Sequence, residues 1–180
     1  MANFLYCETR KKVKTYPLDS DLVAIAPLFF SARGKVNIAI HYLSYYNALL
    51  EEKKEDSAQL FLKILIDKIK QVNLLNALFL SHGIDAKRLL NYQHISDNVK
   101  MESINVSRFN KERFAKREVK SALLDAVTLE IDFVLSCAKI LPVIKRKEIK
   151  ETLKQMVLID CAHAILIGSE LEKLSPLIRY

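Results

Sequence analysis

Turn-forming residues are scarce in this sequence: 180 residues contain three glycines, at positions 34, 83 and 168, and four prolines. Strand-rich folds reverse direction every few residues and lean on glycine and proline to do so. The scarcity excludes a sandwich or barrel and points to a few long helices. It also excludes a phosphate-cradling glycine loop, which needs its glycines clustered. Cysteines number three, Cys7, Cys137 and Cys161, odd in count and far apart. They form neither a disulfide framework nor a CxxC metal knuckle, and a reducing, cytoplasmic setting is expected. No stretch free of charge reaches the length of a membrane-spanning helix. The first fourteen residues, MANFLYCETRKKVK, place their basic residues after the apolar ones, the reverse of a secretory signal. Acidic residues are missing altogether from Leu22 to Leu50.

What is present is globular in kind, with 51% hydrophobic and 27% charged residues, and suits one domain over residues 1–180. The net charge is +7, concentrated in Arg10 to Lys14, Lys111 to Lys120 and Lys145 to Lys150. Such runs can bind nucleic acid or an anionic membrane. Here Glu112, Glu118, Glu148 and Glu151 interrupt two of them, and aromatics do not alternate with the charges as a base-stacking surface requires. Solvated helix ends and loops are the favoured reading.

Four helices are predicted. After an extended arm over about residues 1–19, Asp19-Ser20-Asp21 starts a first helix from about Leu22 to Leu50. Its apolar stripe is Leu28, Phe29, Ala32, Val36, Ala39, Ile40, Leu43 and Leu50, and Gly34 interrupts it. A short charged turn, Glu51 to Asp56, leads into a second helix from about Ser57 to His82, capped by Gly83 and striped by Phe61, Ile64, Leu65, Lys68, Val72, Leu75 and Phe79. From Gly83 to about Arg108 the periodicity fades, with room for a short helix near Ala86 to Leu90. That length can carry the chain from one end of a bundle to the other. The third helix spans about Asn110 to Leu141 on a stripe of Leu123, Ala126, Val127, Glu130, Val134, Cys137 and Leu141. The fourth spans about Lys147 to Lys173 on a stripe of Leu153, Met156, Val157, Asp160, Ala164, Ile167 and Leu171.

Lys68, Glu130 and Asp160 are charged residues at positions where the helical period predicts core, and His163 lies one turn beyond Asp160. A lone buried charge is costly, so each must be paired, neutralised or metal-bound. All lie near the middle of their helices, the same level in an antiparallel bundle, and one polar cluster is expected. Cys161 and His163 are two residues apart on a helix, so their side chains diverge and make no nucleophile–base pair. Tyr42, Tyr45, Tyr46 and Leu49 lie off the predicted core stripe and suggest a second buried face, that of a homodimer.

In helix lengths, the long crossover, and the segments Tyr6-Cys7-Glu8, Tyr16-Pro17, Ala39 to Tyr46, Gly83-Ile84-Asp85 and Leu158 to Ile165, the chain resembles the ferritin-like superfamily, nearest to small bacterial rubrerythrin- and manganese-catalase-like proteins. The resemblance covers about residues 6 to 174. It implies an all-α four-helix bundle with a long crossover between the second and third helices. It also implies two iron or manganese ions held by one carboxylate from each of two helices and a Glu-x-x-His pair from each of the other two. Carried onto this sequence, the first carboxylate falls near Val36, where there is no acid, and the second-helix pair falls on Lys68 and Gln71. Glu130 is retained. The fourth-helix pair falls on Cys161 and Ala164 in the preferred register, or on Asp160 and His163 one residue earlier. An intact two-metal site is therefore not expected. The preferred expectation is a non-catalytic bundle, a pseudoenzyme acting through protein contacts, whose metal is replaced by a core ion-pair cluster of Lys68, Gln71, Glu130 and Asp160. The alternative is a single iron, manganese or zinc ion on Glu130, Asp160 and His163, serving metal binding or a weak oxidoreductase activity.

Overall fold

The computed structural model describes residues 19–31, 33–84 and 119–174. All regular structure among them is α-helical: α1 (Ser20–Phe30), α2 (Lys35–Glu51), α3 (Glu55–Ser81), α4 (Val119–Ile140) and α5 (Lys147–Leu174). The predicted arm, the short helix near Ala86 and the stretch from Asn110 to Glu118 lie outside the described residues.

The predicted first helix is two helices. Asp19 caps α1 by accepting a hydrogen bond from the Asp21 amide at 2.9 Å. The helix ends at Ser31, and the break is closed by local bonds: Gly34 N–H to the Ser31 carbonyl at 2.8 Å, and the Asn37 side-chain amide to the same carbonyl at 2.8 Å. Gly34 is required by space. A Cβ there would sit 2.7 Å from the Phe29 carbonyl oxygen, so the chain folds back on itself more closely than any side chain permits.

This break resets the helical phase and overturns the predicted core of α2. A continuous helix would bury Val36, Ala39, Ile40, Leu43 and Leu50. Instead α2 buries Lys35, Ile38, Tyr42, Tyr45 and Leu49, and Leu43 and Leu50 are exposed. The inward residues Lys35, Ile38, Tyr42 and Leu49 each precede the expected Val36, Ala39, Leu43 and Leu50 by one position, so at 3.6 residues per turn the inward face is rotated by about 100°. Tyr42, Tyr45 and Phe61 pack ring to ring, with centroids 5.2 to 6.3 Å apart. The face assigned to a homodimer is thus largely inside the chain.

The remaining stripes hold with small shifts: Phe133 in place of Val134 on α4, and Gln71 beside Lys68 on α3, with Val72 half-buried. The α2–α3 turn places Lys53 in the left-handed region (φ 58°), and Gly83 ends α3 with φ 73°, the conformation for which glycine is favoured after a helix. α2 pairs with α3 and α4 with α5 as antiparallel hairpins, α2 also touching α4 and α3 touching α5. A tie joins the two hairpins at one end. Asp21, buried on α1, accepts hydrogen bonds from the Lys145 and Arg146 backbone amides at 2.9 and 2.7 Å, and Arg146 pairs with Asp19. The stretch Ser20–Glu51 is long and apolar enough by composition to cross a membrane, and 41% of its most apolar window is buried inside the bundle.

Two glycine substitutions separate space from flexibility. Gly34→Ala should lower unfolding stability by about 1–3 kcal/mol, because the Phe29 carbonyl must move. Gly168→Ala, mid-helix on α5 with nothing within 4 Å of the added carbon, should raise it by about 0.5–1 kcal/mol. Urea unfolding of the two variants checks both signs.

Candidate functional site

The polar residues predicted inside the stripes meet at one level of the bundle. Lys68 on α3, Glu130 on α4 and Asp160 on α5 are each 0% exposed, and His163 is 6% exposed. The Lys68 ammonium donates to Glu130 Oε2 and, at 2.7 Å, to Asp160 Oδ1. Gln71 Nε2 donates to the same Asp160 oxygen at 2.9 Å. On α5 the inward positions are Asp160 and His163, while Cys161 and Ala164 are only half-buried. This corrects the preferred register of the fourth helix by one residue. Leu153, Met156, Asp160, His163 and Ile167 form one unbroken stripe at spacings of three and four, which leaves Cys161 on its edge.

Two members were not foreseen. Lys35, the first residue of α2 and fully buried, pairs with Asp160 Oδ2 and lies 3.5 Å over the Phe133 ring. Tyr42, about two turns further along the same face of α2, donates its hydroxyl to Glu130 Oε1. The resemblance had put an acid near Val36. In its place one lysine and one phenol reach the cluster. A signal for Lys35 existed in the charges: two buried acids against Lys68 alone leave net negative charge in an apolar core, which calls for a second cation.

With Lys35 included, the core holds two ammonium groups and two carboxylates, a neutral set. Each carboxylate oxygen of Asp160 meets an ammonium, and Glu130 shares its two oxygens between Lys68 and Tyr42. Burial pushes the Asp160 carboxyl up, but Lys35 and Lys68 together outweigh it and hold the group below the usual aspartate range. Burial dominates at Glu130 and raises it, Lys68 opposing. Burial also pushes the Lys35 amine down to about 8, against the pull of Asp160. The Tyr42 phenol is raised well above its usual range by burial and by the adjacent Glu130, so it stays a neutral donor.

His163 connects this cluster to the surface. Its Nε2 lies 3.3 Å from Oδ2 of the half-buried Asp67, and its Nδ1 lies 3.9 Å from Glu130 Oε2 with no hydrogen-bond partner. Burial and the nearby Lys68 ammonium lower its pKa and favour neutral imidazole.

The cluster includes a set of metal-ligating types: Glu130, Asp160 and His163 each offer an atom within 4.8 Å of the others. The residues do not fit a two-metal centre. The first expected carboxylate falls near Val36, beside the buried Lys35, and another falls on Lys68, and protonated amines repel cations rather than ligate them. For a single ion the donors are right in kind, but a bound ion would have to displace Lys68 from both carboxylates.

Truncation of the central cation should be expensive. Lys68→Ala leaves two buried acids facing one lysine and should cost about 3–5 kcal/mol. The pair Lys68→Met with Glu130→Gln removes one charge of each sign, leaves Lys35 on Asp160, and should recover most of that loss in thermal unfolding. The sign of the acid response follows from His163. Its folded-state pKa lies below 6.5, so the unfolded chain binds the proton more readily and stability falls as pH drops through and below 6.5. Comparing wild type with His163→Gln between pH 7 and pH 5 by chemical unfolding should show a shallower decline in the variant.

No protein-family model, curated protein sequence or solved structure matches this chain.

Proposed function

We propose that this chain is a non-catalytic bundle of ferritin-like topology, a pseudoenzyme that acts through protein contacts and keeps a charge-neutral ion-pair network where a metal centre would lie. The observation that carries this reading is the placement of Lys68, whose ammonium bridges Glu130 and Asp160 in the plane where a cation would sit. Lys35 completes the substitution by neutralising the second oxygen of Asp160. The buried set thereby satisfies its own charges without a metal ion. The topology is supported by helix direction. α3 ends beside the start of α5, where His82 faces Glu148 at 3.8 Å. α4 starts at the other end, being the antiparallel partner of α5. A link running the length of the bundle is the ferritin-like arrangement.

A second reading has its own observation, the convergence of Glu130, Asp160 and His163 within 4.8 Å. In it a single iron, manganese or zinc ion displaces the Lys68 ammonium, and the protein is a mononuclear metal binder.

Elemental analysis separates the two. Protein purified without chelators and dialysed against iron(II), manganese(II) or zinc(II) should retain far less than one equivalent of each. Retention of one equivalent, lost in Glu130→Ala, would establish the metal-binding reading in place of the ion-pair network.

A further inference from the structure

The outward face of α5 is unusual for a solvated helix. Between Val157 and Ser169 the sole ionisable side chains besides the thiol of Cys161 are Asp160 and His163, and both point into the core. On the opposite side stand Leu158, Ala162 and Ile165, flanked by Ile159 and Leu166. Leu158 at 70% and Ile165 at 71% exposure are the two most exposed large apolar side chains among the described residues. Contiguous apolar faces of this kind mark contact surfaces. At the centre stands Ala162, small enough to let a second helix approach closely.

Charges frame this face at both ends. Glu151 and Lys154 lie on the amino-terminal side, where they pair with each other at 2.8 Å. Glu172 and Lys173 lie on the carboxy-terminal side, both exposed. Lys154 and Glu172 are eighteen residues apart, about five turns, and so share one flank of the helix. Glu151 and Lys173 lie closer to the mid-line of the face.

We propose that this face is an isologous dimer interface, in which α5 packs antiparallel on α5 of a second copy of the chain with Ala162 at the crossing. A two-fold axis at that crossing keeps each flank against its own counterpart. It sets Leu158 against Ile165, Ile159 against Leu166, Glu151 against Lys173 and Lys154 against Glu172 of the second copy. Every apolar residue of the patch is covered by another, and both charge pairs are of opposite sign. A parallel two-fold arrangement would set Glu151 and Lys173, near the mid-line, each against its own copy and would carry Lys154 and Glu172 to opposite flanks, away from each other, which selects the antiparallel register. The predicted homodimer on the tyrosines of α2 is thereby replaced by one on α5. The inference does not depend on the core network: it uses the side of α5 facing away from Asp160, and its readout is mass rather than metal content.

Sedimentation velocity on the full chain tests it. Wild type should sediment at about twice 20.7 kDa. Ala162→Glu should halve that mass while circular dichroism stays unchanged, and Leu43→Glu, an exposed apolar site on α2, should leave the dimer intact. The double variant Glu151→Lys/Lys154→Glu should weaken the dimer by making both pairs alike in sign. Adding Glu172→Lys/Lys173→Glu should restore it. A wild-type monomer, or a dimer untouched by Ala162→Glu, would overturn the interface. A dimer broken by Ala162→Glu yet indifferent to the charge exchange would overturn the antiparallel register.

Discussion

The structure is organised around the neutrality of a buried four-charge set. Lys35, Lys68, Glu130 and Asp160 come from four different helices and are each fully buried. No one of them is tolerable alone in an apolar core. Together they cancel, and the cancellation requires α2, α3, α4 and α5 to stand at one height and in one rotation. The apolar contacts above and below, such as Phe29 on Phe79 and Tyr45 on Phe61, supply the driving force for collapse. They are indifferent to a slip that the ion pairs do not permit. Buried ion pairs are weak evidence for added stability. In this bundle their clearest effect is to specify which arrangement of the helices is the folded one.

The same set decides what chemistry the core supports. Each carboxylate is engaged by an ammonium, which a metal ion would have to displace, and Tyr42 holds the other oxygen of Glu130 as a neutral hydrogen-bond donor. His163 is the one member with an unused nitrogen, and it is also the one in touch with the half-buried Asp67.

Much of this was legible in the sequence, and what was not has a local cause. Lys68, Glu130 and Asp160 stood out because a charge in an apolar stripe breaks a simple period, and that rule holds wherever the helix is continuous, as α3, α4 and α5 are. His163 followed from its place one turn beyond Asp160, and Gln71 from the resemblance, whose second-helix pair falls on Lys68 and Gln71. Lys35 and Tyr42 did not, because both belong to α2, whose phase cannot be extrapolated through the Ser31–Gly34 break. Gly34 marked the place of the break. The angle through which the chain emerges from it depends on how closely its backbone folds against Phe29, and no residue type states that in advance. The one-residue ambiguity on α5 had a different origin. The helical period already put Asp160 on the inner stripe, whereas the resemblance favoured Cys161 and Ala164 for the ligand pair, and the structure follows the period.

Asp21 carries a consequence for how such a chain reaches its folded form. Its carboxylate receives the amides of Lys145 and Arg146, 124 and 125 residues further along. Each helical hairpin, by contrast, is closed by a turn of a few residues. Local hairpins form early because little loop entropy is lost in closing them, and contacts of such wide separation form late. The buried carboxylate thus acts as a latch that fastens α1 to the α4–α5 turn once the hairpins have formed. A chain whose latch is open retains its helices while the seam between the hairpins lies exposed. Protease sensitivity and amide exchange would concentrate there before any helix is lost.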